Sequence, residues 1–111
     1  MDCIFCKIAN KEIPSTIVLE SDSLVAIKDI NPQAPVHILI IPKKHYSTLL
    51  ECKEKGLLGD ILSMANQVAL KLGVNEKGFR VVINTNQEGG QIVFHLHLHL
   101  LAGRPLSGMI G

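Results

Sequence analysis

The segment His95-Leu96-His97-Leu98-His99-Leu100 alternates imidazole and leucine without interruption. Successive side chains of an extended chain point to opposite faces, so this order puts three imidazoles on one face and three leucines on the other. A helix would scatter both sets around its axis. The chain must therefore supply an apolar layer under the leucines and a space that accepts a row of histidines.

The rest of the chain reads as what such a strand needs. Thr16 to Glu20 and Leu24 to Asp29 are short strands rich in β-branched and apolar residues, joined as a hairpin by Ser21-Asp22-Ser23. Val36 to Ile41 is a third strand, opened after Pro35 and closed by Pro42, and its unbroken apolarity predicts a central, buried position. From Lys53 to Leu72, apolar residues fall at Leu57, Leu58, Ile61, Leu62, Ala65, Val68, Ala69 and Leu72, one face of a helix that Gly73 ends. Phe79 to Thr85 and Ile92 to Leu101 complete the set as strands four and five. Strands, one long helix, then strands again predict an α+β fold with a mainly antiparallel five-stranded sheet. The 111 residues fit one domain, 1–111, with enough apolar residues to bury a core.

Eleven basic residues against ten acidic ones leave a net charge of +1, too little for a broad field that would hold a nucleic-acid backbone. The N-terminus lacks the apolar core of a secretory signal and no apolar run reaches membrane-spanning length. A cytoplasmic protein with no membrane partner is expected. Three cysteines, Cys3, Cys6 and Cys52, then read as thiols or metal ligands rather than disulfides.

Three chemistries suit a histidine face. It can be the solvated side of a half-buried strand. It can bind a metal, although a hydrolytic metal site wants a carboxylate, and the flanking segment offers only Glu88. It can also carry nucleophilic catalysis, in which neutral imidazole attacks phosphorus and neighbouring histidines orient it and protonate the departing group. Imidazole titrates near neutrality, and Gly89-Gly90-Gln91 can bring backbone N–H groups up to phosphate oxygens. Separately, Cys3-Ile4-Phe5-Cys6 has the spacing of half a zinc site, or of two apolar thiols opening a short helix.

His95-Leu96-His97-Leu98-His99-Leu100-Leu101 resembles the signature of the histidine-triad (HIT) family, and the Hint branch in particular. The likeness extends through Ile4-Phe5-Cys6-Lys7-Ile8, Lys11-Glu12-Ile13-Pro14, Asp29 to Pro35, and His37 through Ile41-Pro42-Lys43-Lys44-His45. It implies a HIT-like fold with a short N-terminal helix, a homodimer, and purine nucleoside phosphoramidase chemistry through a covalent nucleotidyl-histidine. Dinucleoside polyphosphate hydrolysis and a non-catalytic nucleotide- or partner-binding role are the alternatives.

By that resemblance His97 is the nucleophile, His99 contacts phosphate and leaving group, and His37 completes the site from a neighbouring strand. Asp29 binds the ribose hydroxyls, with Ile30 beside it; Phe5 and Ile27 enclose the base; Asn84, Gly90 and Gln91 contact phosphate or leaving group. In bacterial relatives with the cysteine pair, zinc is completed by residues matching His45 and His95, so Cys3, Cys6, His45 and His95 are the expected structural zinc ligands. Ile92 stands where the Hint branch commonly has a small hydroxyl residue, and the tail lacks the tryptophan of some Hint relatives. Leaving-group preference is not carried over.

Overall fold

The computed structural model describes residues 3–110. Its elements run α1 (Ile4–Ala9), β1 (Ile17–Glu20), β2 (Leu24–Lys28), β3 (Val36–Pro42), a 3-10 turn (Leu49–Glu51), α2 (Lys55–Leu72), β4 (Arg80–Val82) and β5 (Leu98–Ala102). The strands form one antiparallel sheet in the order β1-β2-β3-β5-β4. The expected α+β fold, central third strand, long helix and short N-terminal helix are all present.

The sheet's two faces have different tasks. Leu24, Ala26, Ile38, Ile40, Leu96, Leu98 and Leu100 share one buried cluster with Ile61, Met64, Ala65, Val68 and Ala69 of α2. On the opposite face, Val25, Ile27, Leu39 and Ile41 pack with Phe5 and Ala9 of α1. Because β3 is covered on both sides, its residues from His37 onward are all buried, which explains its continuous apolar run. The core-facing stripe of α2 departs from expectation at one point: Leu62 is half exposed and Met64 takes its place against the sheet. Gly73 ends the helix with φ 72°.

Strands four and five are shorter than expected. β5 starts at Leu98, because continuing its register against β3 would set Leu96 opposite Pro42, which has no N–H for the ladder. The Leu96 N–H instead donates to the Tyr46 carbonyl at 2.6 Å. β4 pairs with β5 only over Arg80 to Val82; Ile83, which the register would set opposite Leu98 at the start of β5, already lies outside the ladder. His95 and His97 therefore stand outside the ladder, although leucine and histidine still part to opposite sides.

Leu98 is fully buried between sheet and helix. We expect Leu98→Ala to cost about 2–5 kcal/mol through lost burial and the cavity left behind. Urea unfolding would show this as a lower midpoint at unchanged slope.

Candidate functional site

His37 lies on β3 and His99 on β5, where His99 pairs with Leu39 and His37 with Leu101. The two histidines are thus diagonal neighbours on one face, within reach of each other. Their rings meet through His37 Nε2 and His99 Nδ1 at 2.9 Å. His97 packs against His99 with ring centres 4.8 Å apart, and against Phe5 of α1 at 4.9 Å, edge to face. Asp29, just past β2, sets Oδ2 3.4 Å from His37 Nε2.

Each ring has a partner that assigns its tautomer. His97 Nδ1 is 2.7 Å from the carbonyl of His95, so it carries the proton and leaves the Nε2 lone pair available. His37 Nδ1 accepts the backbone N–H of Gln33 at 3.0 Å, which places the His37 proton on Nε2. That proton is donated to His99 Nδ1, so neutral His99 carries its own proton on Nε2. The chain of bonds yields one imidazole ready to donate electrons and, beside it, one ready to donate a hydrogen bond.

Burial is the largest influence on all three rings and disfavours the charged form. It lowers His37 and His97 below the usual imidazole range against an opposing pull from Asp29. His99 is pushed down to about 4, by burial first and then by His97 and His37 beside it. A neutral His97 retains the lone pair that attack requires.

A second cluster joins Cys3, Cys6, His45 and His95, whose ligand atoms all lie within 4.8 Å of one another. Cys3 Sγ is 3.2 Å and Cys6 Sγ 3.5 Å from His95 Nδ1; Cys6 Sγ is 3.3 Å and His95 Nδ1 3.1 Å from His45 Nδ1. A tetrahedral ion with ordinary Zn–N and Zn–S bonds needs edges of about 3.3–3.8 Å between such atoms. His95 Nε2 donates to the Pro42 carbonyl at 2.7 Å, which frees Nδ1 for a metal and fixes the ring as metal-bound histidines usually are. The residues fit a metal.

Asp29, His37 and His99 also gather three ligand atoms. The same tautomer test separates the two groups. His37 Nδ1 faces a backbone donor, so turning Nε2 toward a metal would set two N–H groups against each other. This trio reads as a proton-bearing chain. Its carboxylate, Asp29, comes from the turn after β2 and not from the segment flanking the histidines, where the sequence offers only Glu88.

The remaining expected residues are placed as follows. Phe5 and Ile27 are buried in the α1 face of the sheet, with Phe5 forming a wall of the His97 site. Ile30 is almost fully exposed next to Asp29, whose Oδ1 accepts the Asn31 N–H at 2.8 Å. Asn84 lies two residues beyond β4, half-buried. The Gly90 and Gln91 N–H groups donate to Gln87 and Asn86 carbonyls, and the Gln91 side chain bonds to Asn86, Ser47 and Val93 backbone. These donors, expected to cradle phosphate, are committed to shaping their own loop. A Cβ on Gly89 would stand 2.4 Å from the Thr85 carbonyl, so only glycine fits there. Sequence reasoning missed Gln33, Pro42 and Tyr46, which act through backbone atoms; prolines around the Asn31–Pro35 turn were the only visible signal.

The folded chain holds His37 and His99 below their ordinary value of 6.5, so the unfolded chain binds more protons as pH falls through that value. The stability involved is fully present above about pH 6.5 and lost progressively toward pH 4. Urea midpoints measured from pH 7 to 4 should fall in the native chain and fall less in His99→Gln. An identical drop in both would mean that His99 is not its source.

Comparison with known proteins agrees with this geometry. A family model described as the HIT domain matches residues 10–106. The chain is 53% identical over 108 residues to a HIT-like protein of Synechocystis sp., covering 96% of this chain and 94% of that one. It is 45% identical over 111 residues to the purine nucleoside phosphoramidase of Escherichia coli, covering 98% and 93%. A histidine triad protein from Clostridium difficile superposes with a TM-score of 0.95 at 50% identity, covering 98% of this chain and 96% of that one. A HIT family hydrolase from Legionella pneumophila does so with a TM-score of 0.95 at 48% identity, covering 99% and 100%. Sequence, fold and triad geometry together make this chain a member of the HIT domain family.

Proposed function

We propose that the chain is a purine nucleoside phosphoramidase that hydrolyses substrates of the adenosine 5′-phosphoramidate type to AMP and an amine through a nucleotidyl-His97 intermediate. The observation that carries this reading is the bond from His97 Nδ1–H to the His95 carbonyl, which leaves Nε2 as a lone pair beside His99. The similarity to the Escherichia coli phosphoramidase supports the choice of substrate.

Neutral His99 donates its Nε2–H to a phosphoryl oxygen beside the leaving group, and the phosphoramidate nitrogen takes a proton from solvent. His97 Nε2 attacks phosphorus and the P–N bond breaks, so that the protonated nitrogen leaves as a neutral amine. Water then attacks phosphorus, the P–Nε2 bond breaks with its electron pair returning to His97, and the water proton goes back to solvent. AMP departs and the starting state is restored. Asp29 takes the ribose hydroxyls, with Ile30 beside it, while Phe5 and Ile27 bound the base and Asn84 faces the phosphate side. Gly90 and Gln91 hold the loop that borders it.

AMP release from adenosine 5′-phosphoramidate, followed together with intact mass, tests the reading. The native chain should turn over and show a nucleotidyl adduct, and His97→Ala should do neither while still binding AMP. Equal inactivity of both, with turnover of dinucleoside polyphosphates by the native chain, would replace phosphoramidase with the polyphosphate activity.

In the same reading Cys3, Cys6, His45 and His95 hold zinc, which would tie α1 to the sheet and supply stability rather than attack. The protein is a cytoplasmic homodimer on the strength of the family resemblance; no helix among the described residues is long and apolar enough to cross a membrane. Native mass spectrometry of chelator-free, reduced protein should show two chains with one zinc each, and Cys3→Ser should lose the zinc and melt lower. Metal-free native protein would remove zinc from the reading.

A further inference from the structure

The bond that fixes the His37 tautomer comes from a turn that another part of the chain holds in place. Gln33 donates its N–H to His37 Nδ1 at 3.0 Å. The Gln33 carbonyl in turn accepts from Arg104 Nη2 at 3.1 Å, and the same guanidinium donates through Nη1 to the Pro105 carbonyl at 3.1 Å. Arg104 follows Gly103, which leaves β5 with φ 100°. A Cβ on Gly103 would stand 2.8 Å from Pro35 Cβ, so the strap after β5 lies directly on the turn that carries Gln33. Further along, Arg80 Nη2 on β4 donates to the Ser107 carbonyl at 2.5 Å and holds the strap's far end. The Asn31–Pro35 turn is thereby clamped from outside while its Gln33 N–H points inward.

We propose that Arg104, set by Gly103 against Pro35, is a positioning residue for the histidine triad. It acts by holding the Gln33 N–H on His37 Nδ1. Without that donor, His37 is free to carry its proton on Nδ1 and to expose the Nε2 lone pair toward His99 Nδ1. The His99 proton then moves to Nδ1 to meet it, and the Nε2–H that faces the reacting phosphate is lost. Arg104 is exposed and its bonds contribute little to stability, so its effect falls on tautomer rather than on folding. The expected loss of rate rests on the phosphoramidase reading; the expected change of tautomer does not.

The test uses the full-length chain with ¹⁵N-labelled histidine, as Arg104→Ala, Arg104→Lys and Gly103→Ala. Ring-nitrogen shifts of His37 and His99 should show one fixed tautomer in the native chain and a mixture in Arg104→Ala and Gly103→Ala. Arg104→Lys, which keeps a cationic donor, should recover part of the native pattern. In phosphoramidate hydrolysis, Arg104→Ala should lower kcat by roughly 10-fold with KM within about twofold, as expected for misplacement of a group that acts in the transition state. Native tautomers in folded Arg104→Ala would overturn the proposal, as would a loss in melting temperature with unchanged ring shifts. If Arg104→Ala does not fold, the Gly103→Ala and Arg104→Lys spectra decide by the same criterion. An inactive native chain would count against the phosphoramidase reading alone, since the ring shifts are read without substrate.

Discussion

His95 is buried completely, and both the order of the histidine triad and that of the N-terminal helix run through it. Its Nε2–H is spent on the Pro42 carbonyl, its Nδ1 faces two thiols and His45, and its own carbonyl receives the proton of His97 Nδ1. A buried imidazole has two polar atoms to satisfy, and leaving either without a partner costs more than the bond itself is worth. Here each atom has one compatible set of partners, so the ring has one orientation and one tautomer. The backbone at that residue is consequently fixed, and the His97 ring that bonds to its carbonyl is fixed with it.

The sheet makes this arrangement possible because its faces are not equivalent. One face is an apolar layer under α2 and supplies the burial that stabilises the fold. The other is divided between the small apolar patch under α1 and the histidine site. α1 is only six residues long and is a poor helix on its own. What secures it is Phe5 against the sheet and His97, together with the thiols on either side of Phe5 facing His45 and His95. The metal-type cluster and His97 share a wall, Phe5, and neither can be displaced without disturbing the other.

The two histidine clusters also show why ligand geometry alone does not define a metal centre. Both bring donor atoms within bonding range of one point. Only one has its outward nitrogen on a carbonyl, as metal ligands require, while the other has it on an N–H. The difference lies in which backbone atom sits behind the ring.

Much of this is legible in the order of the residues. Alternating histidine and leucine can satisfy burial and polarity only as an extended segment between a core and a site, and the apolarity of Val36 to Ile41 can be accommodated only in the middle of the sheet. The Cys3-x-x-Cys6 pair and the five histidines name the donor types. What the tertiary structure alone decided was the partner of each ring nitrogen: the Pro42, His95 and Gln33 backbone groups, and Asp29 brought beside His37 by a turn. It also decided where the fifth strand begins, since Pro42 lacks the N–H that would have continued the ladder to Leu96. Side-chain pattern is written in residue identity, but carbonyls and N–H groups are the same at nearly every position, and only the register of one segment on another selects which of them a histidine meets.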